Sequence, residues 1–207
     1  MAKYSINPSD FFGKACAFEA ALILVAVVLG WIANIDPFAY LHFSESAIAY
    51  GVIGTIPLFL LFLTIEQMQT ESTIKIKNML FETLGPGLYR HHWTDLLILA
   101  SIAGFSEELL FRGVLQPWIE SAWGVTAGLI AGNIIFGLAH AVTPLYTILA
   151  ALVGIYLSLS MDYGGDRNLL LPIVIHGFYD FLAFIALMRA YRANRISDLK
   201  NEIKKSS

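Results

Sequence analysis

Long apolar runs separated by short polar breaks dominate the chain. A helix rising 1.5 Å per residue needs about 20 largely apolar residues to cross a hydrocarbon layer of ~30 Å. Six runs of roughly that length stand out: Ala17–Ile35, Ala47–Ile65, Trp93–Gln116, Trp123–Ala141, Leu145–Met161 and Leu169–Met188. The expected fold is therefore all-α, a polytopic membrane helix bundle with about six transmembrane helices, residues 1–207 forming a single integral-membrane domain. The first run is too long for a signal-peptide core and lacks a small-residue cleavage site, so it reads as a retained span. Tryptophans mark the expected borders, with Trp31 late in the first run, Trp93 opening the third, and Trp118 and Trp123 bracketing a short turn.

The polar breaks set an orientation. Six spans place both termini, the 66–92 loop and the 142–144 turn on one side, which collects Lys75, Lys77, Arg90, Arg192 and Arg195 among many other cations. The opposite loops hold only Arg167. Positive charge on one side predicts a multi-pass protein of the cell membrane with both termini cytoplasmic. The segment Glu66–Met79, with Glu71 and Lys75 four apart, fits a surface helix or a solvated connector equally. The basic tail, 189–207, is suited to anionic lipid.

Composition closes off other classes. Hydrophobic residues make up 57% of the chain and charged residues 14%, against about 25% charged in soluble domains. Net charge is −3, without the basic excess that neutralises nucleic-acid phosphates, so no nucleic-acid partner is expected. Cys16 is the sole cysteine, which excludes an intrachain disulfide and a cysteine-cluster zinc site. The expected partners are the bilayer and a membrane-associated substrate; the sequence assigns no oligomeric state.

Ionisable side chains at membrane depth cost roughly 2.5–3.5 kcal/mol each on insertion scales and mark function by default. The third run carries Glu107, Glu108 and Arg112, the fourth His140, and the sixth His176 and Asp180. Glu19 and Asp95 sit near run ends, from which such groups reach the interface, and are set aside. Glu108 and Arg112 are i,i+4 with the acid first and can neutralise each other as a structural clasp. Glu107 lies 100° away without a helical partner, which is how a general base is left available. Asn133, Phe136 and His140 share one stripe of the fourth run, with Gly128, Gly132 and Gly137 permitting close helix approach. His176 and Asp180 are again four apart, and Asp180 either acts directly or orients His176. His42, His91 and His92 read as loop or interfacial residues.

At these positions the sequence resembles the CPBP family of intramembrane proteases, the CAAX prenyl endopeptidase and bacteriocin-processing group. Three motifs carry the resemblance in order: Glu107-Glu108 with Arg112, Phe136 with His140, and His176 with Asp180, over about residues 96–184. The resemblance implies peptide-bond hydrolysis within the membrane. Glu107 would be the general base, His140 its partner, and His176 with Asp180 the oxyanion-stabilising pair. Glu108, Arg112, Asn133 and Phe136 would support them. Asp180 stands where prenyl-protein processing members have Asn, and an ionised Asp donates no hydrogen bond.

The expected mechanism uses no cofactor. The alternative is zinc on Glu107, His140 and His176, although no H-E-x-x-H helix preorganises such a site. Serine-type and aspartyl-type protease patterns fit worse: Ser106 is not in a G-x-S-G turn, and Tyr179-Asp180 lacks a later G-x-G-D. The alternatives of another class are a non-proteolytic immunity or binding protein on the same scaffold and a small proton-coupled transporter; the six spans show no inverted repeat for the latter.

Overall fold

Helices begin where the sequence offers caps. The computed structural model describes the backbone of residues 8–206 and the side chains of residues 10–197, and among these it is helical without strands. The first helix, α1 (Pro8–Ala33), ends at Asn34, whose φ of +55° turns the chain. Ser44 caps α2 (Glu45–Gln67) by accepting from Ala47 N–H, and Thr70 caps α3 (Glu71–Thr83) by accepting from Thr73 N–H. After the single turn α4 (Gly85–Leu88), His92 and Asp95 form a reciprocal capping box at the start of α5 (Trp93–Leu110).

The chain then runs through one π-helical turn, Phe111–Leu115, into α6 (Gln116–Trp123). It reverses at Gly124, φ +88°, a backbone angle that glycine adopts without a side-chain clash. The return helix α7 (Val125–Ala139) leads to α8 (Pro144–Met161), capped by Thr143 with Pro144 in its first turn, and to α9 (Leu170–Ser206).

Six rods therefore make the bundle: α1, α2, the α5–π–α6 unit, α7, α8 and α9. Four helices are long and apolar enough to span on their own: α1, α2, α8 and the first part of α9. Their outward faces carry Phe18, Leu24, Trp31, Ile53 and Leu60, all well exposed as lipid-facing side chains are. Because lipid tails are as apolar as these side chains, close packing and polar contacts hold the rods together. A close crossing joins α5 to α9. A Cβ on Gly104 would lie 2.6 Å from Gly177 N, so the two backbones touch there.

The boundaries correct several expectations. The third span does not end at Gln116; it continues to Trp123, so Trp118 and Trp123 lie on one helix and the turn is Gly124 alone. Helix α1 starts at Pro8, nine residues before the expected Ala17, which places Glu19 near mid-helix instead of at an end. Of the two readings of Glu66–Met79 the helical one holds, since the 66–92 segment carries α3 and α4. The last helix runs well past Met188, its basic part continuing the rod.

Candidate functional site

The π turn and the α5–α9 crossing aim polar side chains at one another across five rods. Arg112, in the π turn and 1% exposed, is the centre of the support. It donates through Nη1 to Glu108 Oε1 (2.8 Å), through Nη2 to Asn133 Oδ1 (2.9 Å) and Gly154 O (2.8 Å), and through Nε to Ser158 Oγ (3.3 Å). Its guanidinium lies 4.4 Å over the Phe136 ring, a favourable stacking for a buried planar cation. Asn133 also donates to Leu129 O (2.7 Å) and Ser158 Oγ (2.9 Å). Gly154 leaves the room for this, since a Cβ there would meet Asn133 Oδ1 at 2.5 Å and Arg112 Nη2 at 3.0 Å.

Glu108 does more than the expected clasp. The oxygen that accepts from Arg112 also accepts Nδ1–H of His176 at 2.8 Å, across the α5–α9 crossing. That bond fixes the ring and leaves Nε2 facing Asp180 Oδ2 at 3.6 Å. Helical spacing within α5 identified the Arg112 contact, but no intrahelical spacing reveals the partner from α9.

The two helix arms either side of Gly124 bring Glu107 to His140. Glu107 lies 17 positions before the turn and His140 16 after it, so they sit ~25 and ~24 Å along their arms at 1.5 Å per residue. His140 ends α7, and its Nδ1–H donates to Phe136 O at 2.9 Å because a carbonyl can only accept. Its Nε2 is thereby turned toward Glu107 Oε2 at 3.5 Å. That carboxylate oxygen is buried and takes no hydrogen bond. Phe136 packs on His140 with ring centres 4.5 Å apart and presents its ring edge-on to His176 at 6.1 Å.

His140, His176 and Asp180 line a cavity of about 600 Å³ between α2, α3, α8 and α9. Its other walls include Phe62, Phe81, Tyr146 and Val153, and it runs to the end of the bundle that carries α3. Lys77 on α3 donates to Glu66 O (2.9 Å) and Met68 O (3.2 Å), tying that helix to the end of α2 at the cavity mouth.

The structure also adds Glu19, which the sequence reading set aside. Ser106 Oγ, one residue before Glu107, donates to Glu19 Oε2 at 3.4 Å. The signal was present in the sequence as an acid inside an apolar helix, obscured by the late start assigned to α1.

The zinc alternative fits poorly. Among the described residues no three His, Cys, Asp or Glu side chains form a metal-holding group, and His176 has Nδ1 committed to Glu108. Of the expected members, His140 and His176 line the cavity and Glu107 contacts His140, without the three converging as ligands.

No curated protein and no solved structure matches the chain. Residues 89–182, from just before α5 into α9, match the family described as Rce1-like, Type II CAAX prenyl endopeptidase Rce1-like. That segment contains each of the three motifs with their mutual contacts, and over it the chain is similar to that peptidase family.

Proposed function

We propose that this chain is an intramembrane endopeptidase that hydrolyses a peptide bond of a membrane-associated protein or peptide with water activated by Glu107. The observation that carries the reading is the buried, unbonded Glu107 Oε2 held 3.5 Å from His140 Nε2. A water touching both atoms gives its proton to the carboxylate as it attacks the substrate carbonyl. Glu107 then returns that proton to the leaving amine, so the pair ends the cycle as it began.

His176 faces the opposite side of the cavity. With Nδ1–H given to Glu108, the doubly protonated ring presents Nε2–H to the developing oxyanion. Asp180, 3.6 Å from that nitrogen, steers the ring; it needs no proton of its own for this role. Arg112, Asn133 and Phe136 hold the two histidines and Glu108 in register. The donor set supports a mechanism that needs no metal. Substrate enters from the end bearing α3, the cytoplasmic side in the orientation with both termini inside a cell membrane.

Purified chain in detergent, incubated with a panel of membrane-associated peptides, tests this. Cleavage by wild type that is lost in Glu107→Gln and Glu107→Ala, with helicity and melting unchanged, is the expected result, and chelator leaves the rate unaltered. Retained cleavage in both variants overturns the role of Glu107. Chelator-sensitive cleavage overturns the metal-free reading.

A further inference from the structure

Three arginines gather where α4 and α5 meet the far part of α9, at the end of the bundle that also carries α3. Arg192 donates through Nε to Tyr89 O (2.7 Å) and through Nη2 to His91 O (3.1 Å), fixing the 89–91 turn against α9. The guanidinium groups of Arg90 and Arg195 lie 5.2 and 4.8 Å from the Tyr89 ring centre. Behind that ring Tyr191 packs at 5.4 Å, and Phe81 packs on Tyr191 at 4.8 Å.

Among the described residues none of the three arginines has a carboxylate within ion-pair distance, whereas Arg112 and Arg167 both do. Asp95, five residues after Arg90, is occupied by His92 N–H and by His91. All three arginines are exposed, and half-exposed Trp93 follows in the next turn. Aromatic rings beside exposed arginines at the ends of membrane-crossing rods mark the headgroup level.

We infer that Arg90 and Arg195, flanking Tyr89 and backed by Arg192, form a binding site for the phosphate of an anionic lipid headgroup. Guanidinium forks match phosphate oxygens in pairs, which a diffuse basic surface does not. The occupant spans the entry of α5, which carries Glu107 and Glu108, and the end of α9, which carries His176 and Asp180. Lipid composition then acts on the crossing that builds the site.

The test compares the full chain in neutral phosphatidylcholine nanodiscs and in nanodiscs containing phosphatidylglycerol, reading melting temperature and lipid affinity. Arg90→Gln and Arg195→Gln are each expected to weaken phosphatidylglycerol binding roughly fivefold, and together about thirtyfold, as the attraction per basic side chain near an anionic surface implies. Lys14→Gln with Lys75→Gln, which removes two exposed cations elsewhere, leaves affinity within about twofold. Inorganic phosphate in neutral nanodiscs separates the sources. Protection by phosphatidylglycerol alone identifies the lipid, and equal protection by inorganic phosphate identifies a free phosphate on the same arginines. Wild-type affinity in the arginine variants, or an equal loss in the lysine variant, overturns the inference. Melting in neutral lipid verifies each fold, and Arg195→Gln alone carries the comparison should the double variant not fold.

Discussion

Gly104→Ala is the sharpest probe of whether the helix crossing sets the geometry of the proposed site. The new Cβ would stand 2.6 Å from Gly177 N, 2.8 Å from Gly177 Cα and 3.2 Å from Ile173 O, all backbone atoms of α9. Backbone cannot rotate away as a side chain can, so α9 must retreat by roughly 0.8 Å to restore ordinary contact, a small-to-large change that costs about 1–3 kcal/mol. The His176–Glu108 bond, now 2.8 Å, would lengthen beyond hydrogen-bonding range if the whole retreat fell on it. A misplacement near 1 Å costs on the order of 100-fold in rate. The assay is kcat/KM on the best peptide cleaved by wild type, alongside melting in the same detergent. Gly13→Ala serves as the control, since nothing lies within 4 Å of its new Cβ. Gly104→Ala with activity within about threefold of Gly13→Ala would refute the claim that this crossing sets the catalytic geometry.

Other substitutions separate support from chemistry. Arg112→Met removes one side of a fully buried ion pair and should destabilise by about 3–5 kcal/mol, read as a fall in melting temperature. Adding Glu108→Gln should recover part of that loss without restoring cleavage. Glu19→Leu removes a carboxylate from mid-helix, so melting should rise, by up to about 2 kcal/mol equivalent, while cleavage falls; unchanged cleavage would leave Glu19 without a part in the site. Gly124→Ala forces a side chain into φ +88°, and a loss of about 1–2 kcal/mol is expected in chemical denaturation.

Much of the site was legible because acids and imidazoles stand out against apolar runs. Glu107, His140, His176 and Asp180 were nameable from position alone, and the Glu108–Arg112 contact from a spacing of four. What stayed hidden depends on contacts between rods. Glu108 serving both Arg112 and His176 needs the Gly104–Gly177 approach, and Ser158 and Gly154 join Arg112 only when α8 packs against the π turn. Glu107 and His140 come nearly level because the third rod continues past Gln116 to Trp123 and α7 stops at Ala139, and their contact at 3.5 Å follows. Glu19 was discounted for a similar reason, an end placed nine residues late.

The nearly equal arms about Gly124 also make the hairpin a ruler. One residue added to either arm would slide its reactive side chain by ~1.5 Å and swing it ~100° around the helix. Single insertions between Glu107 and His140 should therefore be far less tolerated than insertions of the same size in the 162–169 connection. Only paired changes on both arms keep acid and imidazole level, so the length of this segment is as much a part of the proposed chemistry as the residues at its tips.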